Sequence, residues 1–412
     1  MLLMLCKETV NTEDQWKNMI SYVEAKKIIE SQKIDAPIVE LPLDQATGHV
    51  LAEPLSASVA SPAFTNSAMD GFAGKHIDLS KPLRVLSTIY ATKTDPNEIP
   101  AYDTGCCVRI MTGGVLPDWA DTVIPVENTE EKSGQIFVKE IPSAGANIRT
   151  EGEDIASGSR LLNVGMRLTA ERTMVAAALG VSKVRVFMQP RLYVISTGDE
   201  LKAPGESLGH GEIYNSSQYF LRAAATSAGI SDATYLTVSD DKDAAAEQIR
   251  EILSKKGPKI IISTGAVSAG VADFIPALGQ DLDFQPLFHK VAMRPGKPVY
   301  LARRNDAVWL GLPGNPISTC TGWYFFAMPL LQSLVGVRAL HLYNFKLNND
   351  VRKPEHLRCF FRAEIRDNRA WVPQSQGSGH FASSINQDAF VILPEGMSLV
   401  KAETIVPGIF IS

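Results

Sequence analysis

Apolar positions recur at helical spacing over residues 11–33, where Ile20, Val23 and the Ile28-Ile29 pair are separated by charged side chains, so the pattern predicts an N-terminal helix. From about 58 to 154 the period shortens. Runs such as RVLSTI, CVRIM, DTVIPVE and QIFVKEI, divided by Gly, Pro and Asn, predict the short strands of a β-rich module. Helical spacing returns over residues 169–180, with Thr169 as N-cap, Glu171 in the first turn and Gly180 as the stop; Arg172 stands where a capping box needs Glu or Gln. The β-module (58–154) therefore reads as inserted between two helical pieces, 1–57 and 155–188.

After Gln189-Pro190 strands and helices alternate. RLYVIST, a helix near 217–227, ATYLTV, a helix over 244–255, KIIIST, VYLAR, AVWLGL and a long helix predict a three-layer α/β domain over 189–336, with a parallel sheet between helices. Residues 337–412 turn β-rich again (FKLNN, CFFRAEIRD, AWVPQ, FVILPEG). Residues 317–337 are long enough to cross a bilayer, but Ser, two Thr, Gln and an internal Pro lie among them, and the reading is a buried helix.

Composition changes little in this picture. The 412 residues are 45% hydrophobic and 21% charged, ordinary values for a soluble globular chain, and a net charge of −5 supplies no global field for nucleic acid or acidic lipid. Five scattered Cys form no disulfide framework, and MLLMLC lacks the features of a secretory signal, so a cytoplasmic protein is expected. No Walker motif or C-x-x-C occurs, the seven His do not cluster, and the G-x-S-x-G string GESLG follows a Pro in a polar loop.

Candidate chemistry gathers at strand ends. ISTGDE (195–200) and ISTGAV (262–267) both close a strand with Ser-Thr-Gly, so Ser196, Thr197, Gly198, Thr264 and Gly265 are expected on one crevice at the sheet edge, where such folds bind ligands. Asp199, Glu200 and Asp273 follow as hard carboxylates suited to Mg²⁺ beside a phosphate, and Asp240-Asp241 ends another strand either as ligand or as helix cap. KVAMRPGKP sets Lys290, Arg294 and Lys297 around a Pro-Gly turn, a local anion site or a basic surface turn. GLPGNPIS leads from a strand into the long helix, with Asn315 as N-cap and Pro316 at the first helical position; its free N–H groups suit an anion, and capping alone is the plainer reading. SPAFTNSAMDGFAG (61–74) packs small and polar residues without a period, as a site-forming loop or a tight structural one.

Taken together, NSAMDGFA, RIMTGGVLP, IRTEGEDI, ISTGDEL, STGAVSAGVADF, MRPGKP, GLPGNP and a C-terminal QGSG, in this order along nearly the whole chain, closely resemble the molybdopterin molybdenumtransferases, the MoeA proteins and gephyrin E-domains. The resemblance implies a cytoplasmic homodimer with a helical N-terminal piece, an inserted β-rich arm, a molybdopterin-binding α/β domain and a C-terminal β-barrel. It implies insertion of molybdate into adenylylated molybdopterin with Mg²⁺-dependent release of AMP, and a molybdopterin adenylyltransferase as upstream partner.

By matching position, the resemblance places Asp70, Thr112 and Asp154 in the arm, facing the crevice of the other subunit. Glu200, Asp240 and Asp273 are the implied metal ligands. Ser268, Lys290, Arg294, Lys297, Pro313, Asn315, Pro316 and Ser318 join the Ser-Thr-Gly turns as substrate-binding positions, and Arg362 and Ser378 are implied to close over the oxyanion. Thr65, Ala266 and Val271 depart from the residues usual at their positions, which shifts weight onto Asp273, and Arg294 stands where many relatives have Lys. A scaffold that has lost the chemistry and a molybdopterin-adenylylating enzyme are the competing functions; the retained acids and bases weigh against the first, and the flanking arm and β-domain against the second.

Overall fold

Strand–helix alternation becomes a six-stranded sheet in the order 233–238, 191–197, 259–264, 307–312, 300–304, 285–289. The first four strands are parallel, with Leu192 beside both Ala233 and Ile260, and Ile260 beside Val308. Tyr300–Arg304 is the exception and runs antiparallel to both neighbours. Only Asn305-Asp306 separate it from Ala307–Leu312, too few residues for a crossover, and Asn305 takes the positive φ of 46° that a tight hairpin needs. The computed structural model describes residues 19–92, 95–230, 232–267, 274–335, 340–377 and 379–411.

Side chains of successive strand residues leave opposite faces of the sheet, which makes three layers. Leu192, Val194, Ile260, Ile262, Val308 and Leu310 pack with Leu221, Trp323 and Phe326 on one face. Tyr193, Ile195, Ile261 and Trp309 pack with Ile249, Ile252 and Leu278 on the other. The long helix is not uniform: Pro316–Gly322 and Met328–Val335 flank a π turn at Trp323–Ala327. Pro329 has no N–H to return to the preceding turn, and the wider π turn takes up that mismatch. Among the described residues no helix is long and apolar enough to cross a membrane.

The expected C-terminal barrel is present. Strands Arg358–Arg366, Arg369–Trp371, Tyr343–Leu347, Ile405–Phe410 and Ala389–Leu393 pair in that order, and pairing of the last with the first closes the ring. Phe345, Leu347, Cys359, Phe361 and Val391 fill it, while Phe360 and Phe390 on the outside join the core of the α/β domain. Met293–Arg294 adds alongside Arg358–Cys359, which fixes the cationic turn to the barrel.

The chain divides into two compact units, Met1–Val39 with Phe187–Ser412, and Glu40–Val186. The two stretches of helical spacing expected toward the N-terminus fall on opposite sides of that division. Tyr22–Glu30 belongs to the first unit, and its start is set by a capping box of Ser21 and Glu24: Glu24 N–H donates to Ser21 Oγ at 3.2 Å and Ser21 N–H to Glu24 Oε2 at 2.9 Å; positions 11–18 of the expected helical stretch lie outside the described residues. Ala170–Ala178 belongs to the second unit and is capped by Thr169. That unit is built on a six-stranded sheet in the order 122–125, 71–74, 106–110, 83–89, 135–138, 129–132.

Candidate active site

The first unit holds a crevice of about 400 Å³ at the C-terminal ends of its parallel strands, lined in part by Thr197, Glu200, Asp240, Thr264, Gly265 and Asn315. Register explains the convergence: Thr197 lies beside Val238, Ser196 beside Thr264, and Thr264 beside Leu312, so four turns leave one edge together. Gly265 has a φ of 95°, and a Cβ there would fall 2.6 Å from Thr197 Oγ1. Gly314 is similarly close, its virtual Cβ 3.3 Å from Gly265 Cα. The two glycines let the Ser-Thr-Gly turn and the GLPGNP turn meet at backbone distance.

The paired hydroxyls divide their work. Ser196 is fully buried and its Oγ accepts from Thr264 Oγ1 at 3.3 Å; Ser263, also buried, accepts the Trp309 indole N–H at 2.9 Å. The threonines, with Thr197 Oγ1 donating to Thr264 O at 3.3 Å, are the members that line the crevice. Gly198 N–H donates to Val238 O at 3.3 Å and so belongs to the turn itself.

Asp240 and Asp241 also separate. Asp241 Oδ1 accepts the N–H groups of Asp243 and Ala244 at 2.8 and 2.9 Å and caps helix Lys242–Ser254, whereas Asp240 lines the crevice. Asp199 holds the Asp240 backbone N–H at 3.2 Å. Glu200 and Asp240 are thus two hard oxygen donors on one cavity, a set that fits Mg²⁺ with further oxygens from phosphate and water. Among the described residues no group of three His, Cys, Asp or Glu stands together. Asp273, Ser268 and Ser378 lie outside the described residues.

Pro316 lines the crevice beside Asn315, whose side chain makes no capping bond although it occupies the N-cap position. Thr319 Oγ1 donates to Pro313 O at 2.7 Å and pins the turn. Sequence reading missed Asn215 and Ser217. Asn215 caps helix Ser216–Ser227 by accepting from Gln218 N–H at 3.1 Å, Ser217 Oγ donates to Gly314 O at 3.3 Å, and both line the cavity. The Asn-Ser-Ser opening of that helix was the available signal.

The cationic turn stands one helical step away. Gly296, with a φ of 94°, packs its Cα side toward Ser318, 3.6 Å from virtual Cβ to carbonyl oxygen. Ser318 is buried. Lys290 and Lys297 are half-buried and hold the hairpin through backbone bonds, Lys290 N–H to Val299 O and Val291 N–H to Lys297 O, each at 2.9 Å. Arg294 is exposed and lines a different cavity, against the barrel.

Arg362 is spent within the barrel. Only 1% exposed, it donates from Nη1 to His380 O at 2.7 Å and Ser384 Oγ at 3.1 Å, and from Nη2 to Gly377 O at 3.1 Å. Gln376 clasps its backbone from both sides, at 3.0 and 3.1 Å. The guanidinium therefore ties down Gly377, His380 and Ser384, and its buried Nε has no partner among the described residues.

In the second unit, Asp70 and Thr112 meet. Asp70 Oδ1 accepts the Thr112 N–H at 2.6 Å and its hydroxyl at 2.7 Å, bonds that hold the carboxyl below the ordinary Asp range. Asp154 sits in a turn folded onto Ser61: the Asp154 and Ile155 N–H groups both donate to Ser61 O at 3.1 Å. Residues 61–74 are partly loop and partly sheet. Gly71–Gly74 is a buried strand between Thr122–Pro125 and Cys106–Ile110, while Phe64 and Met69 remain exposed.

Residues 20–180 match the model of the MoeA N-terminal region (domain I and II), and residues 193–333 that of a probable molybdopterin binding domain. A molybdopterin molybdenumtransferase of Synechococcus elongatus is 35% identical over 94% of this chain and 98% of its own length, and one of Staphylococcus epidermidis is 31% identical over 94% of each. The molybdopterin biosynthesis MoeA protein of Pyrococcus horikosii superposes with a TM-score of 0.77 at 27% identity, covering 96% of this chain and all of that one. Matched from end to end by such relatives, the chain belongs to the MoeA family of molybdopterin molybdenumtransferases.

Proposed function

We propose that this protein inserts molybdate into adenylylated molybdopterin, breaking the phosphoanhydride with Mg²⁺ and releasing AMP. The observation that carries the reading is the convergence of Glu200, Asp240, Thr197, Thr264 and the Asn315 turn on one crevice. An anhydride entering it meets hydroxyl donors, backbone turns that allow close approach, and two carboxylates. Mg²⁺ held by Glu200 and Asp240, with Asp273 as the further expected ligand, would neutralise charge on the phosphate oxygens as the P–O bond breaks. Thr197 and Thr264 orient the phosphates, and Lys297 and Arg294 on the adjoining turn hold the metal oxyanion that ends on the two dithiolene sulfurs. Asp70, Thr112 and Asp154 complete the site from a second copy of the chain, so the working form is a cytoplasmic homodimer that receives its pterin from an adenylyltransferase.

The test is AMP release from adenylylated molybdopterin by the purified protein. Release should require molybdate and a divalent ion together. Asp240→Asn and Glu200→Gln should each slow it about 100-fold, the worth of a few kcal/mol of charge stabilisation. Equal release without molybdate, or by both variants at the rate of the parent, would end the reading.

A further inference from the structure

At the crevice edge of the sheet, strands end in Thr264, Leu312 and His289, the last on the outermost strand, Gln285–His289. Three strand spacings of about 4.8 Å separate the first of these strands from the last. After Thr264 the chain turns across this edge. Gly265 N–H donates to Leu312 O at 3.1 Å, and Val267, 1% exposed, lies over Gly311, where a Cβ would fall 2.7 Å from Val267 Cγ1. His289 meets it from the far side: its Nε2 donates to Val267 O at 2.9 Å, and its ring stands edge-on to Tyr300 with centroids 6.1 Å apart. A carbonyl oxygen only accepts, so Nε2 carries a proton.

The turn needs such a hold. Gly265 and Ala266 both have positive φ, 95° and 50°, and the second is not a glycine, so its left-handed backbone persists only where surrounding bonds fix it. Backbone bonds brace it, Gly265 N–H to Leu312 O and Ile275 N–H to Ala266 O, each at 3.1 Å. The bond on Val267 O adds a side-chain brace from 22 residues further along the chain. Thr264, Gly265 and Ala266 line the crevice, so whatever holds this turn sets the wall that faces the substrate.

We infer that His289 is a positioning residue: through Val267 O it holds the 264–267 turn in the shape that lines the crevice, acting from the outermost strand of the sheet. Its effect on turnover rests on the reaction proposed above, whereas its effect on the turn does not. A glutamine in its place can carry an amide nitrogen to the position of Nε2, and the shorter asparagine cannot.

The experiment is backbone amide exchange at Gly265 and Ile275 in the full-length protein, read beside steady-state AMP release and denaturant unfolding. His289→Asn should speed exchange at both amides roughly tenfold, the worth of one buried hydrogen bond, and should lower kcat several-fold with KM for molybdate unchanged. His289→Gln should recover most of both. Exchange at the parent rate in His289→Asn would overturn the inference, as would asparagine and glutamine variants that exchange alike or lose equal stability, since the side chain would then serve packing alone. An exchange response with kcat unchanged would remove the residue from catalysis. If the parent releases no AMP while the exchange pattern holds, the reaction falls and the positioning of the turn stands.

Discussion

Two glycine-rich regions, one in each unit, use the same residue to opposite ends. At the crevice, Gly265 and Gly314 bring two turns together and leave a cavity between strand ends. In residues 71–74 of the second unit, Gly71 brings a buried strand against its neighbour so closely that a Cβ would fall 1.9 Å from Ile124 O, and the approach builds a sheet. The lesson is that a cluster of small residues announces close backbone approach, and only the partner decides whether the approach makes a site or a sheet.

That contrast can be broken most sharply at Gly71. Its would-be contact is backbone in the middle of a sheet, which cannot yield as a side chain would, so Gly71→Ala should cost about 3 kcal/mol or more. Denaturant unfolding should register that loss in the transition of the second unit; a variant as stable as the parent would mean that the strands are free to part. Gly265→Ala should cost about 2 kcal/mol from its left-handed backbone and the Thr197 contact. Its distinguishing effect is on function, because the crevice loses shape: AMP release should fall further than stability alone accounts for. Preserved catalysis would show that the turn is scaffolding.

The smallest effect belongs to Asp70, whose carboxyl is exposed. Its pKa is lowered by the Thr112 N–H and hydroxyl, so the contact is fully present above the ordinary Asp value of about 3.9 and is lost as pH falls through the lower value of the folded protein. The Thr112 amide resonance, followed on acidification, should report a midpoint below that ordinary value. An amide insensitive to acid would remove the contact from the account of this turn.

Much of the crevice was legible in the chain. Strand-end motifs sit next to the turns they form, and parallel strands send those turns to one edge, so ISTGDE, ISTGAV and GLPGNP could be assembled before any coordinates. The division of labour within them was not legible. Ser196 and Thr197 are adjacent and chemically alike, yet alternation across the sheet turns one inward and leaves the other on the cavity. Asp240 and Asp241 separate for a similar reason, since only the residue at the helix start can reach the free N–H groups.

Arg362 shows the same limit from the barrel side. The family resemblance implies that it closes over the oxyanion, whereas closure of the five-stranded ring buries it and commits its donors to Gly377, His380 and Ser384. Arg294 shows it again: the turn that carries it reads as a cationic part of the crevice, whereas pairing beside Cys359, far along the chain, sets it on a different cavity.

The sequence by itself determined the strand–helix alternation of the α/β domain, the β-rich C-terminal part and the sheet edge at which the Ser-Thr-Gly turns gather, because periodicity and turn chemistry are local properties. Tertiary structure alone decided which hydroxyl faces the cavity, which carboxylate caps a helix and which arginine the barrel buries. Those outcomes depend on the registers of strands and on donors and acceptors brought in from distant segments, and such contacts leave no periodic trace in the chain.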